Sequence, residues 1–525
     1  MSERHGWRRV FRQAAWEGET MLDRFVAYNA RMTGDEVAFG SLSRKRSYAL
    51  LEATVSRLAH ALEGLRSLNL RRVAVQCPDT WRHWALTLAL GRLGLVSASL
   101  SNGDVSEEEL ATLRPDLIIL HGPGGLLPGE GRLVLGEDWF SRALANVEDD
   151  DASCYYPPVP VERSAPCRAA LASGTGREPH LLELSFGEVE EQLHRIIYHD
   201  MVEYFTRMGR GQSRMVGKPQ LLCTVGPQSL SGFLMMGAAL AGGTTLRSSD
   251  AQNIGTEVMQ APALMIVMTP VHLRHLLRAL PPQGRPMSHI YLSIVGGRLS
   301  DSLLKETTER FTPHVQVVYG TDESGLVAAM PADQRRSEDD VGAPLPWVDV
   351  EIVDAGGNRV PAGEVGEIRI RGGGVVRGYV DDNPAAEQRF RDGWFYPGDR
   401  GFMSARGGLH LRGRMDALVN AGGAKFDLEV VEDILRSETR IRDVGVFMMT
   451  DGQGQERFYA AIVSHESFDE QALSARLRKR YPALPPVVMI WVPEIPRTQE
   501  GHVDRRRLEA TLKDYIQRGL HRGQA

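Results

Sequence analysis

Short apolar runs alternate with longer segments of helical periodicity through the first half of the chain. Arg72-Val-Ala-Val-Gln-Cys77 is a β-prone run. In the segment Trp81 to Leu95 that follows, Trp84, Leu88, Leu90 and Leu93 recur near helical spacing. Val96-Ser-Ala-Ser-Leu100 and Asp116-Leu-Ile-Ile-Leu120 repeat the pattern of a short buried strand. Strands alternating with helices predict βαβ units and a parallel sheet, an α/β fold class.

The pattern changes after about residue 345. Val348-Asp-Val-Glu-Ile-Val353 and Gly366-Glu-Ile-Arg-Ile-Arg371 alternate apolar and polar positions, and Ala355-Gly-Gly-Asn358 between them reads as a turn. That period of two predicts antiparallel, half-exposed sheet. A third pattern closes the chain. Asp427 to Arg436 reads as a helix with acidic residues early, Asp443 to Met449 and Phe458 to Val463 as strands, and Asp469 to Arg480 as a charged amphipathic helix. The expected division is a large N-terminal α/β domain with a β-rich part over residues 1–413, then a small mobile α+β domain over 414–525, with the boundary near Gly413-Arg-Met-Asp416.

Composition narrows the function classes. The 525 residues imply several structural units. A net charge of -6 leaves no basic excess for phosphate backbones, so no nucleic-acid partner is expected. Cys77, Cys154, Cys167 and Cys223 form no C-x-x-C pair, which disfavours zinc and disulfide frameworks. No apolar region follows the charged N-terminus and no uninterrupted apolar run approaches the ~20 residues of a membrane span. The expected location is the cytoplasm, with no transmembrane segment.

Candidate chemistry then lies in a series of loops. Leu171-Ala-Ser-Gly-Thr-Gly-Arg-Glu-Pro-His180 offers backbone N–H groups and hydroxyls suited to phosphate oxygens, without the G-K-[ST] ending of a Walker loop. Tyr319-Gly-Thr-Asp-Glu-Ser-Gly325 places carboxylates after an apolar run, where one suits a magnesium ion bridging to phosphates. Tyr396-Pro-Gly-Asp399 sets an Asp in a turn, able to accept two ribose hydroxyl hydrogen bonds. Gly413 to Asp416, Asn420-Ala-Gly-Gly-Ala-Lys-Phe-Asp427 and Pro496-Arg-Thr-Gln-Glu-Gly-His-Val-Asp-Arg505 complete the series. A dinucleotide loop at Gly122-Pro-Gly-Gly125 is rejected because the third glycine is missing and Pro128-Gly129 opposes a helix. No Gly-x-Ser-x-Gly nucleophile elbow is present.

The order of these motifs resembles the adenylate-forming (AMP-binding) superfamily of acyl- and aryl-CoA synthetases, peptide-synthetase adenylation domains and luciferases, over nearly the whole chain. Val341-Gly-Ala-Pro-Leu-Pro, Gly363 to Ile370 and Arg377-Gly-Tyr-Val-Asp-Asp-Asn-Pro384 agree with it. The resemblance implies an ATP- and magnesium-dependent ligase. A carboxylate attacks the α-phosphate to give acyl-AMP, and a thiol, most often of coenzyme A, displaces AMP. By position it implies that Ser173, Gly174 and Thr175 hold the phosphates, that Gly296, Gly297 and Arg298 lie beside adenine, and that Tyr319, Gly320, Thr321 and Asp322 belong to the nucleotide site. Glu323 would sit at the magnesium ion, Asp399 and Arg414 at the ribose, Asp416 at the hinge, and Gly422 and Gly423 on the loop guiding the acceptor thiol. Two further readings stay open: acyl transfer to an acyl or peptidyl carrier protein or an amine, and a degenerate relative that binds nucleotide or acyl-adenylate without turnover.

Departures from the family pattern gather around the phosphates. Gly176 and Arg177 replace a Thr and a Gly, His180 replaces a Lys, Asp322 a Thr, and His502 the adenylating Lys of the closing motif. His180 and His502 therefore enter as catalytic candidates with Thr175 and Glu323, although a neutral imidazole is a weaker phosphate ligand than an ammonium. The stretch Val225 to Met236 carries no acid to pair with a substrate ammonium, which disfavours an α-amino acid. Phe233, Met235 and Met236 read equally as an apolar acyl pocket or as helix core.

Overall fold

The computed structural model describes residues 22–41, 44–101, 105, 107–121, 131–145, 155–172, 180–208, 220–247, 254–261, 263–281, 285–380, 388–415, 418–421, 424–436, 438, 440–450, 456–464, 466–480, 484, 486–497 and 503–517. Two mainly parallel sheets build the first part of the chain. In the six-stranded sheet the order is Arg132–Val134, Leu117–Leu120, Arg72–Gln76, Val96–Ser99, Pro166–Ala172 and His180–Ser185. Only the last strand is antiparallel, folding back on Pro166–Ala172. The eight-stranded sheet runs Gly325–Pro331, His314–Thr321, Ile290–Ile294, Leu264–Met268, Gln220–Cys223, Thr245–Arg247, Val37–Gly40 and Lys45–Ser47. Its two edge strands are antiparallel and its interior is parallel.

The apolar runs become strands because both faces of these sheets are covered. Leu264–Met268 and Ile290–Ile294 are buried at every residue. Helices Leu22–Thr33, Tyr48–Leu62, Thr80–Arg92, Phe186–Met208 and Leu230–Ala241 share one core with strands of both sheets. The helix expected from Trp81 starts at Thr80, where the Asp79 side chain accepts from Arg82 N–H at 2.9 Å. Trp84 on this helix stacks on Phe233 of Leu230–Ala241 at 5.3 Å, and its indole N–H points to Met236 Sδ at 3.4 Å. Phe233 and Met236 are thus helix core, which decides between the two sequence readings; Met235 is partly buried beside them.

From Asp340 the chain forms the antiparallel sheet that the alternating pattern predicts. Val348–Val353 pairs with Gly366–Gly372, and Asp399–Met403 with Leu409–Arg414. The expected turn is closed by Asp354, whose Oδ1 accepts from Gly356 and Asn358 N–H at 2.8 and 2.9 Å. The last part is a three-stranded sheet of Asp443–Thr450, Glu456–Val463 and Val487–Trp491. Helices Leu428–Arg436 and Glu470–Arg480 cover one face and Arg505–Gln517 the other, each with its own apolar cluster. Arg278, on helix Pro270–Ala279, donates to the carbonyls of Arg442 and Ile441 at 3.1 and 3.2 Å, bringing this sheet's entry against that helix. Among the described residues no helix is long and apolar enough to cross a membrane.

Candidate active site

Parallel register decides where the site gathers. Met268 pairs with Ile294 and Ile294 with Val317, so the carboxyl ends of neighbouring strands open on the same edge. Gly296, Gly297 and Arg298 follow one strand, Asp322 and Glu323 another, and the loop before Ser229 a third. Loops at this edge of an α/β sheet are where ligands bind. Gly296 adopts a φ of +68°, and a Cβ on Gly297 would lie 3.2 Å from Pro270 Cδ. Arg298 pairs with Glu338 at 2.7 Å, and the same carboxylate accepts from Asp301 N–H.

The motif residues Tyr319, Asp399 and Arg414, far apart in sequence, form one hydrogen-bonded group. Tyr319 donates to Asp399 Oδ2 at 2.6 Å, and Arg414 Nη1 donates to Oδ1 at 3.1 Å. Arg414 also donates to the Pro397 carbonyl at 2.9 Å, holding the Tyr396–Asp399 turn whose Gly398 has a φ of +80°. Burial, reinforced by the Asp399 charge, holds the Tyr319 phenol well above its ordinary range, so it stays a donor.

Asp322 and Glu323 leave their turn toward different partners. Asp322 Oδ1 accepts from Ser231 N–H at 3.1 Å in the first turn of Leu230–Ala241, a helix also capped by Ser229 Oγ on Gly232 N–H. A carboxylate there is stabilised by the unpaired N–H groups and the helix dipole. Glu323 is buried, and its Oε1 accepts the Tyr379 hydroxyl at 2.5 Å. Its backbone carbonyl accepts from Val376 N–H at 2.8 Å. Thr321 and Ser324 close the turn with a 3.0 Å hydroxyl contact. Gln192 donates to the Gly374 carbonyl at 2.7 Å and packs against Gly325, where a Cβ would meet its Oε1 at 2.1 Å. His180 opens its strand, buried, with its ring 4.4 Å from that of Tyr379 at an interplanar angle of 27°.

Tyr379, Gln192 and Arg168 are the residues that motif reading does not single out. Arg168 is buried on the strand that leads to residues 173–179, and donates to Ser99 Oγ and the Pro227 carbonyl, both at 2.7 Å. Its guanidinium lies 4.1 Å over the Phe233 ring, and among the described residues no carboxylate pairs with it. Burial pulls it down to about 9, still cationic at neutral pH. An unbroken apolar strand with an arginine inside it is the signal that could have exposed this residue. Ser173, Gly174, Thr175, Asp416, Gly422, Gly423 and His502 lie outside the described residues.

Known proteins share this chain's sequence pattern and fold. Residues 125–380 match the family described as AMP-binding enzyme. Triostin synthetase I of Streptomyces triostinicus is 27% identical over 527 residues, covering 95% of each chain. Indoleacetate–CoA ligase of Aromatoleum aromaticum is 26% identical over 516 residues, covering 92% of this chain and 96% of its own. O-succinylbenzoate coenzyme A synthetase of Bacillus subtilis, solved with ATP and a magnesium ion, shares the fold with a TM-score of 0.73 at 19% identity, over 92% of this chain and 99% of its own. By sequence the chain is similar to AMP-binding enzymes, and its fold, a large α/β part followed by a small α+β part, matches that of the solved synthetase.

Proposed function

We propose that this chain is an AMP-forming acid–thiol ligase that activates a carboxylic acid with ATP and passes the acyl group to coenzyme A. The observation that carries the reading is the Tyr319–Asp399–Arg414 group standing at the same sheet edge as Glu323. It supplies a fixed carboxylate for ribose hydroxyls and a cation beside it. In the first half-reaction a carboxylate oxygen forms a bond to the α-phosphorus and pyrophosphate leaves. In the second, a thiolate attacks the acyl carbon, AMP leaves, and the thiol proton passes to solvent. Binding and alignment of two anions supply most of such a rate enhancement.

The donor set suits magnesium shared with substrate phosphates. Among the described residues no group of three or more His, Cys, Asp or Glu could enclose an ion. A hard cation held by one carboxylate, Glu323, with phosphate oxygens and water needs no such cage. When bound it would neutralise phosphate charge. Tyr379 keeps Glu323 oriented for that role. Similarity to an indoleacetate–CoA ligase along nearly the full chain supports coenzyme A as acceptor. ATP–pyrophosphate exchange with a panel of carboxylic acids tests the proposal, followed by thioester formation with coenzyme A against a carrier-protein thiol. Absence of exchange with every acid, alongside retained AMP binding, would favour the degenerate reading.

A further inference from the structure

We infer that His180 serves the site as a positioning residue, acting through the ring of Tyr379 on Glu323, and that its flat ring rather than its charge is what the site uses. The inference rests on the ligase reading for the role of Glu323, and on five contacts for its geometry. His180 stacks on one side of Tyr379 at 4.4 Å, and Phe390 meets the same ring edge-on at 5.2 Å. The Tyr379 hydroxyl donates to Glu323 Oε1 at 2.5 Å. Backbone bonds pin the segment on either side: Val376 N–H to the Glu323 carbonyl at 2.8 Å, and Val380 N–H to the Leu181 carbonyl at 2.9 Å.

With backbone bonds on either side and its ring packed against both His180 and Phe390, Tyr379 has little freedom to swing. Its hydroxyl therefore fixes one oxygen of Glu323. A hydroxyl donating to a carboxylate makes a charge-assisted hydrogen bond, stronger than a neutral one. Removing the His180 ring leaves Tyr379 a side to collapse into, and the carboxylate loses its defined direction. An aromatic ring in place of imidazole keeps the stack; a lysine does not. Aromatic pairs of this kind hold by packing and quadrupole geometry, independent of net charge.

The experiment uses the full-length chain and the variants His180→Ala, His180→Phe, His180→Lys and Tyr379→Phe. Two readouts are taken: ATP–pyrophosphate exchange, and the concentration of magnesium chloride giving half-maximal ATP binding, measured by calorimetry without turnover. His180→Ala and Tyr379→Phe are each expected to raise that magnesium concentration by about 10-fold, the scale of one such contact. His180→Phe is expected to recover most of the loss seen with Ala, while His180→Lys is not. Adding His180→Ala to Tyr379→Phe should cost little more than Tyr379→Phe alone, since both act on one carboxylate. If His180→Phe is as impaired as Ala while His180→Lys binds and exchanges better than wild type, the residue acts as a cation and the inference falls. If His180→Ala does not fold, the Phe and Lys variants decide by the same criterion. If the wild type exchanges with no acid, the ligase reading fails, and the magnesium dependence of ATP binding still decides the role of His180.

Discussion

Tyr319 donates its hydroxyl to Asp399 across a sequence separation of 80 residues, at 2.6 Å. The carboxylate is thereby aimed before any ligand arrives, with Arg414 on its other oxygen. Tyr319→Phe leaves a buried carboxylate short of a donor and should lower unfolding stability by about 1–3 kcal/mol in urea titrations. Asp399→Ala should weaken AMP binding by about 10-fold or more in calorimetry, the value of a charged acceptor lost from two hydroxyls. Unchanged AMP affinity in Asp399→Ala would remove the ribose assignment.

Asp322 is bonded to the first turn of Leu230–Ala241. Asp322→Asn keeps an acceptor oxygen and should cost less than about 0.5 kcal/mol of stability, whereas Asp322→Leu should cost about 1–2 kcal/mol as a lost helix cap. ATP affinity in Asp322→Asn should change by less than about two-fold, because the charge removed faces a helix end. A large gain in ATP affinity would show that the carboxylate opposes the triphosphate.

His502 stands where the family resemblance implies an adenylating lysine. Restoring the ammonium with His502→Lys should raise ATP–pyrophosphate exchange by about 10–100-fold, the reverse of deleting one preorganised donor. A slower exchange would mean that the imidazole has a role of its own.

His83 is buried with its Nε2 2.8 Å from Ser99 Oγ, and burial, with the Arg168 charge second, pushes it down to about 3. The unfolded chain titrates near 6.5. Between those values the unfolded state holds a proton that the folded state refuses. The contribution of neutral His83 is complete above about pH 6.5 and is lost at about 1.4 kcal/mol per pH unit as pH falls toward 3. Urea midpoints for wild type and His83→Gln across this window should diverge, the wild type declining more steeply toward acid. Parallel profiles would show that the folded protein accommodates the imidazolium.

The strands and their sheets are legible in the sequence because burial on two faces demands unbroken apolar runs such as Leu117–Leu120, and burial on one face demands alternation, as in Val348–Val353. Motif order places Tyr319, Asp399 and Arg414 in one site, and the structure brings them into contact. The partners of Glu323 and Asp322 are not legible. Tyr379 and Ser231 come to them over separations of 56 and 91 residues, set by chain crossing and not by any local pattern. Phe233 carries the same ambiguity: a large apolar residue on a helix reads alike facing a pocket or a tryptophan, and only packing against Trp84 decides.

The strand pairing shifts register between Tyr319 and Gly320. A Cβ at Gly320 would lie 2.2 Å from the Gly325 carbonyl oxygen, so two stretches of backbone touch at the neck of the Asp322–Glu323 turn. Nothing larger than hydrogen fits there without prying the neck apart. The two carboxylates are consequently mounted on one pivot, one reaching the first turn of the helix Leu230–Ala241 and the other Tyr379. A change that tilts the turn would disturb both reaches together, so tolerated variation at this place in the chain is expected in the side chains at its tip and not in the hinge that carries them.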